Sequence, residues 1–101
     1  MEGSAKQKVP GGKLISVRIS FDTLISRVEI TGDFFLHPEE ALSCIEGSMA
    51  GVKADEPEQE MAARVRSAAE SHGIEMIGIT PEAVASTVKM AIRNGMESNK
   101  A

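Results

Sequence analysis

At 101 residues the chain is one domain at most, near the lower edge of sizes that build a self-sufficient core, which argues against a large buried active-site cleft. An apolar fraction of 42% with mixed charge makes it globular, but its only aromatics are three phenylalanines, so Leu, Ile, Val and Met must fill the core. The net charge of -4 is uneven: residues 1–36 carry five basic and four acidic side chains and the rest carry six and eleven, so there is no basic stripe for non-specific nucleic-acid binding, and any anion contact belongs to the first third.

Residues 1–7, "MEGSAKQ", read as a flexible N-terminal tail and residues 96–101 as its C-terminal counterpart, leaving 8–95 as the domain. The domain opens on "KVPGGKL", Lys8 to Leu14, where a Gly-Gly-Lys cluster suggests a phosphate loop. That motif needs a glycine five residues before its Gly-Lys, a hydroxyl directly after, and a helix whose amides face the phosphate. Here Gln7 and Leu14 occupy those two positions and a strand follows, so the bland reading is a bend with solvated lysines.

From Lys13 to Phe21 the chain alternates, with Ile15, Val17, Ile19 and Phe21 on one face and Ser16, Arg18 and Ser20 on the other, the period of a half-buried strand. A second run, 24–36, completes a hairpin. A two-residue turn at Asp22 and Thr23 sets Phe21 against Leu24, Val17 against Val28 and Ile15 against Ile30; a longer loop instead turns Ile25 inward. Gly32-Asp33 interrupts the alternation, as at a bulge or a close backbone approach. Phe34 and Phe35 then point to opposite faces, so one enters the core easily and the other is exposed, covered by a helix, or buried against a partner.

Three helices follow, at about 38–50, 56–72 and 81–94. Pro38 opens the first, Leu42, Ile45 and Met49 share its inner face, and Gly51 stops it. Asp55 and Glu58 have capping-box spacing before the second, whose inner face reads Met61, Val65, Ala68 and His72, with Gly73 as its end. "IEMIGI" is an extended link or an edge strand. The third helix starts at Thr80-Pro81, turns Val84, Val88, Ala91 and Ile92 inward, and stops at Gly95. Strands first and helices after give an α+β fold, a small antiparallel sheet packed against three helices.

Catalytic chemistry is sparse. Cys44 is the only cysteine and sits in the first helix beside core positions, the usual place of a small packed residue rather than a nucleophile. His37 and His72 are too far apart in sequence to make a metal site of recognisable spacing. Glu39, Glu40, Glu56, Glu58 and Glu60 read as favourable charges near helix starts and as a solvated face. The single cysteine, the absence of a signal-like apolar run and the lack of a bilayer-length segment point to a soluble cytoplasmic protein without membrane contact.

"KVPGGKLISVRI" followed by "SRVEITGDFFLHPEEALSCIEGSMAG" resembles the C-terminal accessory domain of lipoate-protein ligases, most closely the stand-alone small subunit of the two-chain archaeal enzymes. The family's Lys-x-Pro-x-Gly-Lys stretch corresponds to Lys8, Pro10, Gly12 and Lys13, and its Gly-Asp-Phe-Phe stretch to Gly32, Asp33, Phe34 and Phe35; "GITPEAVASTVKMAI" looks like its last helix. The resemblance spans roughly residues 8–95. It implies a fold similar to sulfur-acceptor and iron-sulfur scaffold proteins, and an accessory role in joining lipoate to ATP to give lipoyl-AMP before transfer to a lysine. The implied partners are a catalytic large subunit and, indirectly, the lipoyl-carrier domains of 2-oxoacid dehydrogenase complexes and the glycine-cleavage carrier protein. ATP, Mg and lipoate would be used by the complex and not bound by this chain alone.

On this resemblance no residue here is catalytic. Lys8, Pro10, Gly11, Gly12 and Lys13, with Gly32, Asp33, Phe34 and Phe35, become partner-interface or nucleotide-proximal positions. The two lysines either add positive charge near the nucleotide or pair with acidic residues of the large subunit. Two other readings stand beside this one. A sulfur-acceptor or cluster scaffold needs an exposed reactive cysteine or several cysteines, and a generic interaction domain needs neither.

Overall fold

The structure, a computed structural model, describes residues 1–9 and 13–98. Its strands are β1 (Glu2–Lys8), β2 (Leu14–Phe21), β3 (Ile25–Gly32), β4 (Phe35–His37) and β5 (Glu75–Ile77); its helices are α1 (Leu42–Gly47), α2 (Glu58–Ser71) and α3 (Pro81–Ser98). The fold is α+β. β1, β2 and β3 form an antiparallel sheet with β2 in the middle, and β4 pairs with β5 in a separate antiparallel ribbon. One face of the sheet is covered: α3 lies on β1 and β2, α1 on β3, and α2 against α3.

The period-2 pattern of β2 does what its residues dictate. Ile15, Val17, Ile19 and Phe21 are buried beneath the helices, while Arg18 faces solvent. Val65 of α2 and Val84 and Val88 of α3 are fully buried above them. Each such side chain stabilises the fold by about 1.5–3 kcal/mol relative to exposure.

The first seven residues correct the sequence reading. In place of a loose tail, Glu2–Lys8 is an edge strand, paired along its length with β2 from Glu2 opposite Ser20 to Lys8 opposite Leu14. Its inward positions are Gly3, Ala5 and Gln7, small or polar because α3 approaches closely there. A Cβ on Gly3 would collide with the Ala91 carbonyl, and one on Gly95 would lie 2.8 Å from the Glu2 carbonyl oxygen and 2.9 Å from Phe21 Cε1. Gly95 therefore marks a crossing of strand and helix rather than a helix stop, and α3 runs on to Ser98. Hydrogen bonds lock the crossing: Gln7 Nε2 donates to Thr87 Oγ1 (2.6 Å), whose hydroxyl donates to the Ala83 carbonyl (2.7 Å), and Asn94 Nδ2 donates to the Ser4 carbonyl (2.9 Å). Of the expected C-terminal tail, residues 96–98 are helical, and 99–101 lie outside the described residues.

The hairpin register also differs from the two-residue turn. Phe21 faces Ile25, Ile19 faces Val28 and Val17 faces Ile30, with a shift in pairing between Ser20 and Phe21. The longer loop is the one adopted. Ile25 is buried because its N–H donates to the Val52 carbonyl (2.8 Å) and its carbonyl accepts from Gly51 N–H (2.7 Å), which leaves Leu24 half-exposed. The second strand stops at Gly32, not at residue 36, since the chain leaves the sheet there and re-pairs as β4. The edge of β3 is blunted by Glu46 of α1, whose Oε2 accepts from Ile30 N–H at 2.8 Å.

The helix ends need correction too. Pro38 precedes a single 3-10 turn, Glu39–Ala41, before the short α1. Pro57, not Asp55, is the N-cap of α2, and no side-chain cap forms there. His72 is the C-cap and exposed, so Ala62 and Ala69 complete the buried face of α2. The α1–α2 connection is held instead from α3, by Lys89 Nζ donating to the Ala54 and Glu56 carbonyls (3.1 and 3.0 Å). Arg64 then forms a two-point pair with the Glu56 carboxylate, both contacts 2.8 Å.

Candidate functional site

Both sequence motifs come to one end of the sheet. Lys8 ends β1 and Lys13 precedes β2, joined across the hairpin by Val9 N–H donating to the Lys13 carbonyl (2.8 Å); Pro10, Gly11 and Gly12 lie outside the described residues. The Leu14 carbonyl accepts from Asp33 N–H at 2.9 Å. Gly32 packs so tightly on the same carbonyl that any Cβ there would collide with it, and its φ of 156° suits glycine. A side chain at this position would push the Gly32–Phe35 segment away from the lysine bend.

A third segment joins them. Gly78, directly after β5, lies under Lys13: a Cβ on it would sit 3.3 Å from Lys13 Cγ and 3.7 Å from the Phe34 Cα. Lys13 thus lays its stem across the β4–β5 ribbon. Lys8, Lys13 and Asp33 are exposed, and among the described residues neither lysine has an ion-pair partner.

The two phenylalanines separate as their alternation requires. Phe34 is half-buried against the core, and Leu36 is buried. Phe35 is 66% exposed and stands directly opposite Ile77, itself 49% exposed, with His37 opposite Glu75 as the next exposed pair. An aromatic and a branched aliphatic side chain thus form a small apolar patch flanked by polar groups, the composition of a protein-binding anchor. Ile77 and Gly78 are the site residues that sequence reasoning missed. The signal for them was "IEMIGI", an alternating apolar run ending in glycine, but nothing in it says which partner strand it meets.

Among the described residues there is no cluster of three His, Cys, Asp or Glu side chains able to hold a metal ion. Cys44 is a half-buried free thiol on α1. One concavity, about 630 Å³, is an open polar hollow between Ser48 and Arg64, and another, about 560 Å³, is an apolar groove at the opposite end of the sheet, lined by Phe21, Ile92 and Met96. The described residues at this end bring together two exposed lysines, a carboxylate and an exposed apolar pair. No described helix is long and apolar enough to cross a membrane.

The fold defines a class: a small α+β domain with one covered sheet face and a protruding two-stranded ribbon. No protein-family model and no curated protein matches the sequence, but a solved structure matches the fold. This chain is similar, at 25% identity and a TM-score of 0.71, to a chain in the archaeal lipoylation system of Thermoplasma acidophilum, which comprises a bipartite lipoate protein ligase and its E2 lipoyl domain. The superposition covers 87% of this chain and 94% of the other, so the matched chain is itself a domain of about this size.

Proposed function

We propose that this chain is the accessory small subunit of a two-chain lipoate-protein ligase, needed with a catalytic large subunit to activate lipoate as lipoyl-AMP before transfer to a lysine of a lipoyl-carrier domain. The observation that carries the proposal is near-complete mutual coverage with a chain of an archaeal lipoylation system that includes a bipartite lipoate protein ligase. The meeting of the Lys8–Lys13 bend with Gly32–Phe35 at one exposed end supports it, because those are the stretches on which the family resemblance rests.

The catalytic chain supplies the lipoate pocket, the Mg-ATP contacts and the reacting groups. This chain supplies a rigid body that closes over them. Activation needs a carboxylate held against the α-phosphate with water excluded, and a docking domain contributes to both by ordering the reactants and capping the site. Phe35 and Ile77 anchor that docking. Lys13, fixed over Gly78, brings its positive charge to the same contact.

The test mixes this chain and a catalytic chain with lipoate, Mg and ATP and follows pyrophosphate release. Release should require both chains, and release independent of this one would overturn the reading. Lys13→Ala should lower lipoyl-AMP formation about tenfold while sparing transfer from preformed lipoyl-AMP. Equal loss in both steps would show that Lys13 serves binding and not activation.

A further inference from the structure

The uncovered face of the three-stranded sheet carries a cationic cluster that neither the motif end nor the core explains. Because Ala5 and Gln7 point toward α3, Lys6 and Lys8 point the other way, and because Val17 and Ile19 are buried, Arg18 joins them on the outer face. Register places Lys6 opposite Ser16 and Arg18 opposite Ser4, so Lys6 and Arg18 are diagonal neighbours. Lys6 and Lys8 lie two strand residues apart, about 7 Å. All three side chains are exposed, and none has an ion-pair partner among the described residues. Arg27, farther along the same face, is already paired with Glu29 at 2.7 Å.

Lys6 repels Lys8 along β1 and Arg18 on the cross-strand diagonal, and Glu29, directly opposite Arg18 on β3 and already paired with Arg27, offsets only part of this charge. The chain as a whole is anionic, at -4, and does not need these cations for solubility. Ser4 and Ser16, the cross-strand partners of Arg18 and Lys6, are short enough for another surface to approach, and among the described residues no helix covers this side. Glu2 and Glu29 sit on the same face. They interrupt the positive field in a way that disfavours a polyanion such as a nucleic acid and suits a protein surface of patterned charge.

We infer that the outer sheet face, through Lys6, Lys8 and Arg18, docks on a carboxylate-rich surface of the catalytic chain. This inference rests on the proposed ligase reading and assigns the two lysines of the bend different work. Lys8 belongs to an electrostatic face along the sheet, and Lys13 to the end contact over Gly78. The sheet face steers and holds the complex without entering the chemistry, so its removal slows association and leaves the assembled enzyme unchanged.

The experiment titrates wild-type chain and the double variant K6E/R18E against the catalytic chain in low and high salt, reading complex formation and pyrophosphate release. The variant should bind at least tenfold more weakly at low salt, the difference should shrink at high salt, and release at saturating concentration should match wild type. A circular-dichroism melt confirms that the variant folds; the single variant Lys6→Glu, expected to lose a few-fold in the same salt-dependent way, replaces it otherwise. K53E/R66E, on the loop and helix side, should bind as wild type. Stimulation by wild type with unchanged binding of the K6E/R18E protein would overturn this inference while leaving the ligase reading intact. No binding of wild type to the catalytic chain would overturn both, and equal competition by a duplex oligonucleotide would overturn the carboxylate surface as the occupant.

Discussion

The three-stranded sheet and the β4–β5 ribbon are built from similar residues and put them to opposite uses. In the sheet, Ile15, Val17 and Ile30 are covered by helices, and the edge strand β1 is fitted to α3 through Gly3 and Gly95. In the ribbon, Phe35 and Ile77 are equally apolar and face solvent. Stability needs the first arrangement and gains little from the second. The contrast teaches where this small domain keeps its fold and where it leaves apolar side chains in solvent.

The largest effect should come from breaking the sheet. Deleting residues 1–7 strips β2 of a partner and uncovers the inner face beneath α3, so the truncated chain should lose its cooperative unfolding transition by circular dichroism. A truncation that leaves the melt unchanged would return these residues to the status of a tail. Gly95→Val makes the same point at one position. Its side chain meets the Glu2 backbone and the Phe21 ring, and it should destabilise the chain by about 3 kcal/mol in a denaturant titration, near the upper end for overpacking.

The ribbon should respond in the opposite sense. Phe35→Ala and Ile77→Ala remove exposed side chains, so each should change folding stability by no more than about 0.5 kcal/mol. If Phe35 is the anchor proposed above, its loss should raise the concentration of this chain needed for half-maximal pyrophosphate release by roughly 30-fold, the effect of a binding hot spot. A large loss of stability with unchanged stimulation would invert the comparison.

The smallest effect belongs to the Glu56–Arg64 pair, between the α1–α2 connection and α2. The hydrogen bonds from Arg64 hold the Glu56 carboxyl below the ordinary carboxylate range, against a smaller opposing effect of burial. A depressed folded-state pKa gives stability that is present above the unfolded value and is lost as pH falls through the folded one. Glu56→Gln should therefore lower stability slightly above about pH 4.5, the loss being small because Arg64 is half-exposed, and the difference from wild type should vanish as pH falls, which leaves the variant with a flatter acid limb. Parallel acid limbs for variant and wild type would remove this pair from the account.

Much of this architecture was written along the chain. The alternation of β2, the helical spacing of Val84, Val88, Ala91 and Ile92, and the break at Gly32 are local patterns, and local physics suffices to place them. The separation of Phe34 from Phe35 follows from strand geometry in the same way. Other features depend on what lies opposite. β1 is invisible to a search for apolar alternation because its inward residues are glycine, alanine and glutamine, choices that make sense only once α3 packs there. The turn after Phe21 follows from hydrogen bonds to Gly51 and Val52, distant in sequence, which draw Ile25 in and leave Leu24 out. The candidate site divides likewise. Lys8, Lys13 and the Gly32–Phe35 stretch carried their own signals, but their convergence on the Leu14 carbonyl, the pairing of Ile77 with Phe35 and the seat of Lys13 over Gly78 come from long-range contacts. The sequence by itself determined which segments are strands and helices wherever their own side chains supply the period. Tertiary structure alone decided which glycines are crossings, which strand edges meet and which apolar residues stay in solvent, because those outcomes depend on backbone from elsewhere in the chain.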